Sequence, residues 1–150
     1  MTVATDQAGR GADEPARRFA DLVKLTGWQA KFIGRAQEQK LLEEGVREFG
    51  LTLDQARGIV RSVAEENHYT FETETTKRIQ QVMARQAGKR GRISRKQFDH
   101  TAQVLRDFSN GTISDVEARR QLKQVMIDNG WQPRRAGLLR TRRWYRSIEV

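Results

Sequence analysis

At Thr52/Gln55, Ser94/Gln97 and Ser114/Glu117 a hydroxyl residue is followed three positions later by Gln or Glu at the head of an apolar run. Each pair has the spacing of a reciprocal helix cap, in which the hydroxyl and the N3 side chain satisfy each other's backbone N–H groups. Each also opens a stripe of apolar residues three and four apart. The stripes are Leu53, Ala56, Val60, Val63 and Ala64; then Phe98, Ala102, Leu105 and Phe108; then Ala118, Leu122, Val125 and Met126. Caps in phase with stripes restrict the chain to α-helices packed on one another.

The same periodicity extends the pattern on both sides. Asp13 before Glu14 and Pro15 predicts an N-cap and a proline-tolerant first turn, with Phe19, Leu22, Val23 and Thr26 on the buried side of a helix stopping at Gly27. Phe32, Ile33, Ala36, Leu42, Val46 and Phe49 predict a longer helix from about Trp28 to Phe49, ended by Gly50. Phe71, Ile79, Val82 and Met83 predict another over about 71–87. Gly88 to Ile93 breaks the pattern as a loop, Asn110-Gly111 marks a turn, and Asn129-Gly130 supplies a helix end.

The expected fold is therefore all-α, a compact bundle of six or seven short helices. Residues 1–12, small and polar with Gly9 and Gly11, read as a disordered tail. Residues 13–150 read as a single all-helical domain, its near-neutral half over 13–87 and its basic half over 88–150. A length of 150 residues suits one domain with its own core, and the hydrophobic share of 37% suits a thin one.

One segment echoes another at an offset of roughly 62. Ala56-Arg57 aligns with Ala118-Arg119, Val60 with Leu122, Asn67 with Asn129 and Tyr69 with Trp131. Upstream, Arg47-Glu48-Phe49 resembles Arg106-Asp107-Phe108, with three extra residues in the second turn. Two amphipathic helices with similar caps give such an echo, and so does a duplicated helical hairpin.

Catalytic and metal chemistry find little footing. The absence of cysteine excludes disulfides and thiolate sites. His68 and His100 lack the spacing of a helical zinc pair, and Asp99-His100 are neighbours that point apart on a helix. Asn110 to Glu117 resembles the second half of an EF-hand calcium loop, and Gly91 to Gln97 repeats its shape. Arg106 and Phe108 would hold the first two ligand positions of that loop, and neither binds a hard cation. Glu43-Glu44 and Glu65-Glu66 read as solvated faces. The expectation is a non-enzyme without cofactor or metal, and no small-molecule substrate is evident. No apolar run has the length of a membrane span, the N-terminus has no secretory pattern, and the cytoplasm is the default compartment.

Charge carries the functional signal. Residues 1–75 hold ten Lys/Arg against thirteen Asp/Glu, whereas residues 76–150 hold eighteen against six. The bases concentrate twice. Lys89, Arg90, Arg92, Arg95 and Lys96 occupy one loop and the following turn. Arg134, Arg135, Arg140, Arg142, Arg143 and Arg146 surround Trp144 and Tyr145 near the C-terminus. The leading expectation is a helical binding or adaptor module whose basic half docks an acidic partner protein. The alternative is a nucleic-acid-binding protein using the 89–96 loop and the 134–146 tail, since arginine forks suit phosphates and aromatic faces suit bases. A membrane surface ranks third, because the apolar and basic residues of the tail do not separate into two faces. If the tail closes as a helix, Trp144 with Ile148 and Leu138 with Tyr145 pack onto the body and leave the arginines exposed.

Overall fold

The computed structural model describes residues 7–150, with side chains from Asp13 onward. Among these residues the fold is all-helical, with seven α-helices. It divides into two compact units, the described residues up to Glu72 and those from Thr73 to Val150.

The first unit runs α1 (Gln7–Gly27), β1 (Phe32–Ile33), α2 (Arg35–Arg47), α3 (Leu53–Asn67) and β2 (Thr70–Phe71). Its core gathers Phe19 and Val23 of α1, Ile33, Leu41 of α2, Val60 and Val63 of α3, then Tyr69 and Phe71. The helices cross closely at Gly45, where an added β-carbon would lie 2.9 Å from the Phe19 ring and 3.0 Å from the Ala56 methyl. After α3, His68 takes a left-handed conformation (φ 57°) and the Tyr69 N–H returns to the Ala64 carbonyl at 2.8 Å. That reversal aims Tyr69 across the ring-wide gap left by Gly27, and its hydroxyl donates to the Lys24 carbonyl at 2.8 Å. β1 and β2 then pair in parallel, Phe32 beside Thr70 and Ile33 beside Phe71.

The second unit runs α4 (Glu72–Ala87, with only Glu72 in the first unit), a 3₁₀ turn (Gly88–Arg90), β3 (Arg92–Ile93), α5 (Arg95–Phe108), α6 (Asp115–Asp128), β4 (Gln132–Pro133) and α7 (Arg143–Arg146). Its interior holds Ile79, Met83, Ile93, Phe98, Leu105, Leu122 and Met126. β3 pairs β4 in parallel, Arg92 beside Gln132 and Ile93 beside Pro133. Arg119 of α6 ties the helix pair at its edge, reaching Asp99 of α5 at 2.6 Å and Asp115 at 2.8 Å. Its hydrogen bond with Asp99 raises the Arg119 pKa further above its ordinary value, against the opposing effect of burial.

The echo in the sequence is a structural repeat: helix, strand, helix, helix, strand, in the same order with the same parallel pairing. Two details fix the correspondence. The Asn67 and Asn129 side chains each donate back to the carbonyl four residues earlier, both at 2.8 Å. Lys31 (φ 53°) and Gly91 (φ 59°) are both left-handed just before their strands, and their carbonyls accept from Thr70 and Gln132. The lysine tolerates that conformation with its ammonium over the Trp28 and Tyr69 rings, at 5.3 and 5.1 Å.

Several expectations change. The offset is 62 only from the second cap onward; from α1 and α4 to the first caps, Gly34 and Ser94, it is 60. Phe49 therefore corresponds to Ser109, which is fully buried, while Phe108 is 40% exposed. The helix expected from Trp28 to Phe49 begins only at Arg35, because Lys31 turns left-handed and Phe32 and Ile33 form strand ladder instead. Gly34 caps α2 without a side chain, and the Gln37 side chain accepts from its N–H at 2.9 Å.

Both bonds of the capping box form at Thr52/Gln55 and at Ser94/Gln97. At Ser114 only the hydroxyl half forms, because Glu117 instead meets Arg120 at 3.2 Å and Gln121. Of the tail expected over 1–12, residues 1–6 lie outside those described and residues 7–12 continue α1. Pro15 thus sits inside the helix instead of in its first turn. Among the described residues no helix is long and apolar enough to cross a membrane.

Candidate phosphate-binding cleft

The 89–96 loop and the C-terminal segment meet because of the parallel β3–β4 pair. The Gln132 N–H donates to the Gly91 carbonyl and the Arg134 N–H to the Ile93 carbonyl, both at 2.8 Å. Pro133 fits between them because a parallel strand donates only from alternate residues, so its missing N–H costs no ladder bond. Strand alternation then buries Ile93 and Pro133 and turns Arg92 and Arg134 outward.

Beyond β4 the chain forms a short hairpin. Ala136 and Thr141 exchange two backbone hydrogen bonds, 2.7 and 3.0 Å, across a loop whose Gly137 (φ 80°) and Arg140 (φ 46°) are left-handed. The hairpin returns Arg140 and Arg142 toward Arg90, Arg92, Arg134 and Arg135. These six arginines line one cleft of about 500 Å³. Among the described residues no acidic side chain lines it and none of the six is in an ion pair. The Arg142 Nε is buried without a hydrogen-bond partner among the described residues. A smaller cleft continues from Arg135 and Arg142 to Arg143 and Arg146.

The segment is held from beneath. Trp144 meets the Phe98 ring edge-on, centroids 5.2 Å apart, and its indole N–H donates to the Arg134 carbonyl at 3.1 Å. Lys123 of α6 stands 4.7 Å from the centre of the Tyr145 ring and donates to the Ile148 carbonyl at 2.6 Å. Burial raises the Tyr145 pKa above its ordinary 10.0. Trp144, Tyr145 and Ile148 are thus packed as anchors, while Leu138, which a closing helix would have packed, is fully exposed.

Of the thirteen residues singled out in the sequence, Arg90, Arg92, Arg134, Arg135, Arg140 and Arg142 come together, with Arg143 and Arg146 alongside. Lys89 and Lys96 are exposed but line neither cleft, and Arg95 faces Asp99 at 3.7 Å. Phe98 and Lys123, which set the position of the tail, carry no signal of that role in the sequence. Asp99, beside His100, is engaged by Arg119 and Arg95. Among the described residues no three His, Asp or Glu side chains are grouped to hold a metal ion.

The repeat isolates what is special about the second unit. At the matching positions of the first copy of the repeat, Ala30 stands for Arg90, Phe32 for Arg92 and Glu72 for Arg134, while Thr73, the first residue of the second unit, stands for Arg135. There the Glu72 carboxylate accepts the Arg35 N–H at 2.8 Å, capping α2. One scaffold carries a carboxylate where its copy carries a guanidinium, so the scaffold does not dictate the arginine cluster. In comparisons with known proteins, no family model, no curated protein and no solved structure matches the chain.

Proposed function

We propose that the second unit is a non-catalytic nucleic-acid-binding module that grips the phosphate backbone in its arginine cleft. The observation that carries this reading is the convergence of six arginines from two distant segments on one concavity, with no ion pair and no acid lining it among the described residues. Like charges so gathered repel one another, and a polyanion relieves the repulsion. Guanidinium forks match phosphate oxygens two at a time, and successive phosphates suit a row of arginines better than scattered carboxylates do. The second unit as a whole carries 18 Lys/Arg against 7 Asp/Glu, a net +11, which steers a polyanion toward it.

The test is fluorescence anisotropy with a labelled single strand and a labelled duplex, titrated across a salt series. Binding at micromolar strength or tighter that weakens steeply with salt is expected. The double variant Arg134→Gln/Arg142→Gln should lower the salt slope by about 1.4 on single strands and about 1.8 on duplex, as for two lost phosphate contacts. Absence of binding at low salt would overturn the reading and return the basic face to an acidic protein partner.

A further inference from the structure

The hairpin that closes the arginine cleft also carries two leucines that no other described residue covers. Leu138 is fully exposed and Leu139 is 85% exposed, side by side at the tip of the turn. The turn needs left-handed residues only at Gly137 and Arg140, so polar side chains would serve at 138 and 139. Along the returning strand, Arg140 and Arg142 line the arginine cleft. Leu139 and Thr141 line a second, shallow cleft of about 450 Å³. Leu138, Arg143 and Trp144 complete that second wall, whose charge comes from Arg95 and Arg143.

The hairpin is thus charged toward one cleft and mainly apolar toward the other. We propose that it reads single-stranded nucleic acid, with the backbone phosphates in the arginine cleft and an unstacked base against Leu138, Leu139 and the edge of Trp144. This rests on the phosphate reading above. Charge complementarity commits the apolar wall to this occupant: it opens beside six guanidiniums that are in no ion pair among the described residues, and a ligand with closely alternating anionic and flat apolar groups satisfies both clefts. A duplex keeps its bases stacked and offers the hairpin phosphates alone.

The experiment compares the full-length protein with Leu138→Ser/Leu139→Ser. Both side chains are exposed, so the fold is undisturbed, and circular dichroism checks this. Anisotropy is read with three probes of equal charge per strand: an oligothymidylate, the same backbone made abasic, and a duplex. The parent should bind the oligothymidylate about tenfold more tightly than the abasic strand. The leucine variant should lose that preference with an unchanged salt slope and unchanged duplex binding. Equal binding of the base-bearing and abasic strands by the parent overturns the proposal and leaves the phosphate reading standing. No binding of any probe by the parent removes both. Leucine-dependent sedimentation with phosphatidylglycerol vesicles, alongside leucine-independent oligonucleotide binding, also overturns it and makes the turn a membrane element.

Discussion

Gly27 lies so close to the face of Tyr69 that a β-carbon there would stand 2.4 Å from two ring carbons. The ring is fixed by its hydroxyl bond to Lys24, so it cannot swing aside cheaply. Gly27→Ala should therefore cost about 1–3 kcal/mol despite the better helix propensity of alanine. In a chain of this size that lowers the unfolding midpoint by about 2–4 °C per kcal/mol, readable by thermal denaturation. Tyr145 gives a second single-residue prediction. Burial holds its phenol neutral to higher pH in the folded state than in the unfolded one. Its contribution is fully present below pH 10, the ordinary value, and declines as pH rises above it, where the unfolded chain ionises first. Wild-type protein should lose stability through that window more steeply than Tyr145→Phe, in urea titrations at stepped pH.

Helix caps are where local sequence speaks most directly at the scale of elements. Ser94→Ala, which breaks a reciprocal cap, should destabilise by about 1 kcal/mol, and Thr52→Ala similarly. The accompanying Gln97→Ala should add to Ser94→Ala less than its own single cost, since both act on one cap, and a double-mutant cycle measures the difference. These caps and their stripes were legible because each depends on residues within one or two turns. The two-residue strands were not. Phe32 and Ile33 have spacing compatible with a helix through Ala36, and only pairing with Thr70 and Phe71, nearly forty positions away, decides otherwise. The site divides in the same way. The arginines were visible as two clusters, but their meeting depends on bonds from Gln132 to Gly91 and Arg134 to Ile93. The roles of Phe98 and Lys123 depend on where the tail lands, which no local pattern encodes.

Over the whole molecule, the charge is partitioned between the copies of the repeat: 10 Lys/Arg against 12 Asp/Glu in the first unit, 18 against 7 in the second. Under the phosphate reading, an oligonucleotide should raise the unfolding midpoint at low salt, because it binds the folded cleft and not the scattered arginines of the open chain. The rise should disappear in Arg134→Gln/Arg142→Gln, whose own midpoint without oligonucleotide is the baseline; it stays close to wild type, since Arg134 is exposed and the covered Nε of half-buried Arg142 makes no hydrogen bond that the change would break. In the first unit β2 passes at once into α4; at the matching point β4 releases the chain into the hairpin. Every cleft arginine lies on that outgrowth or on the loop paired to it. A deep mutational scan would therefore resolve two nearly disjoint maps, one of positions that must stay apolar for the protein to exist and one of positions free to drift. Selection could rewrite the second map, changing ligand or losing it, without renegotiating the first.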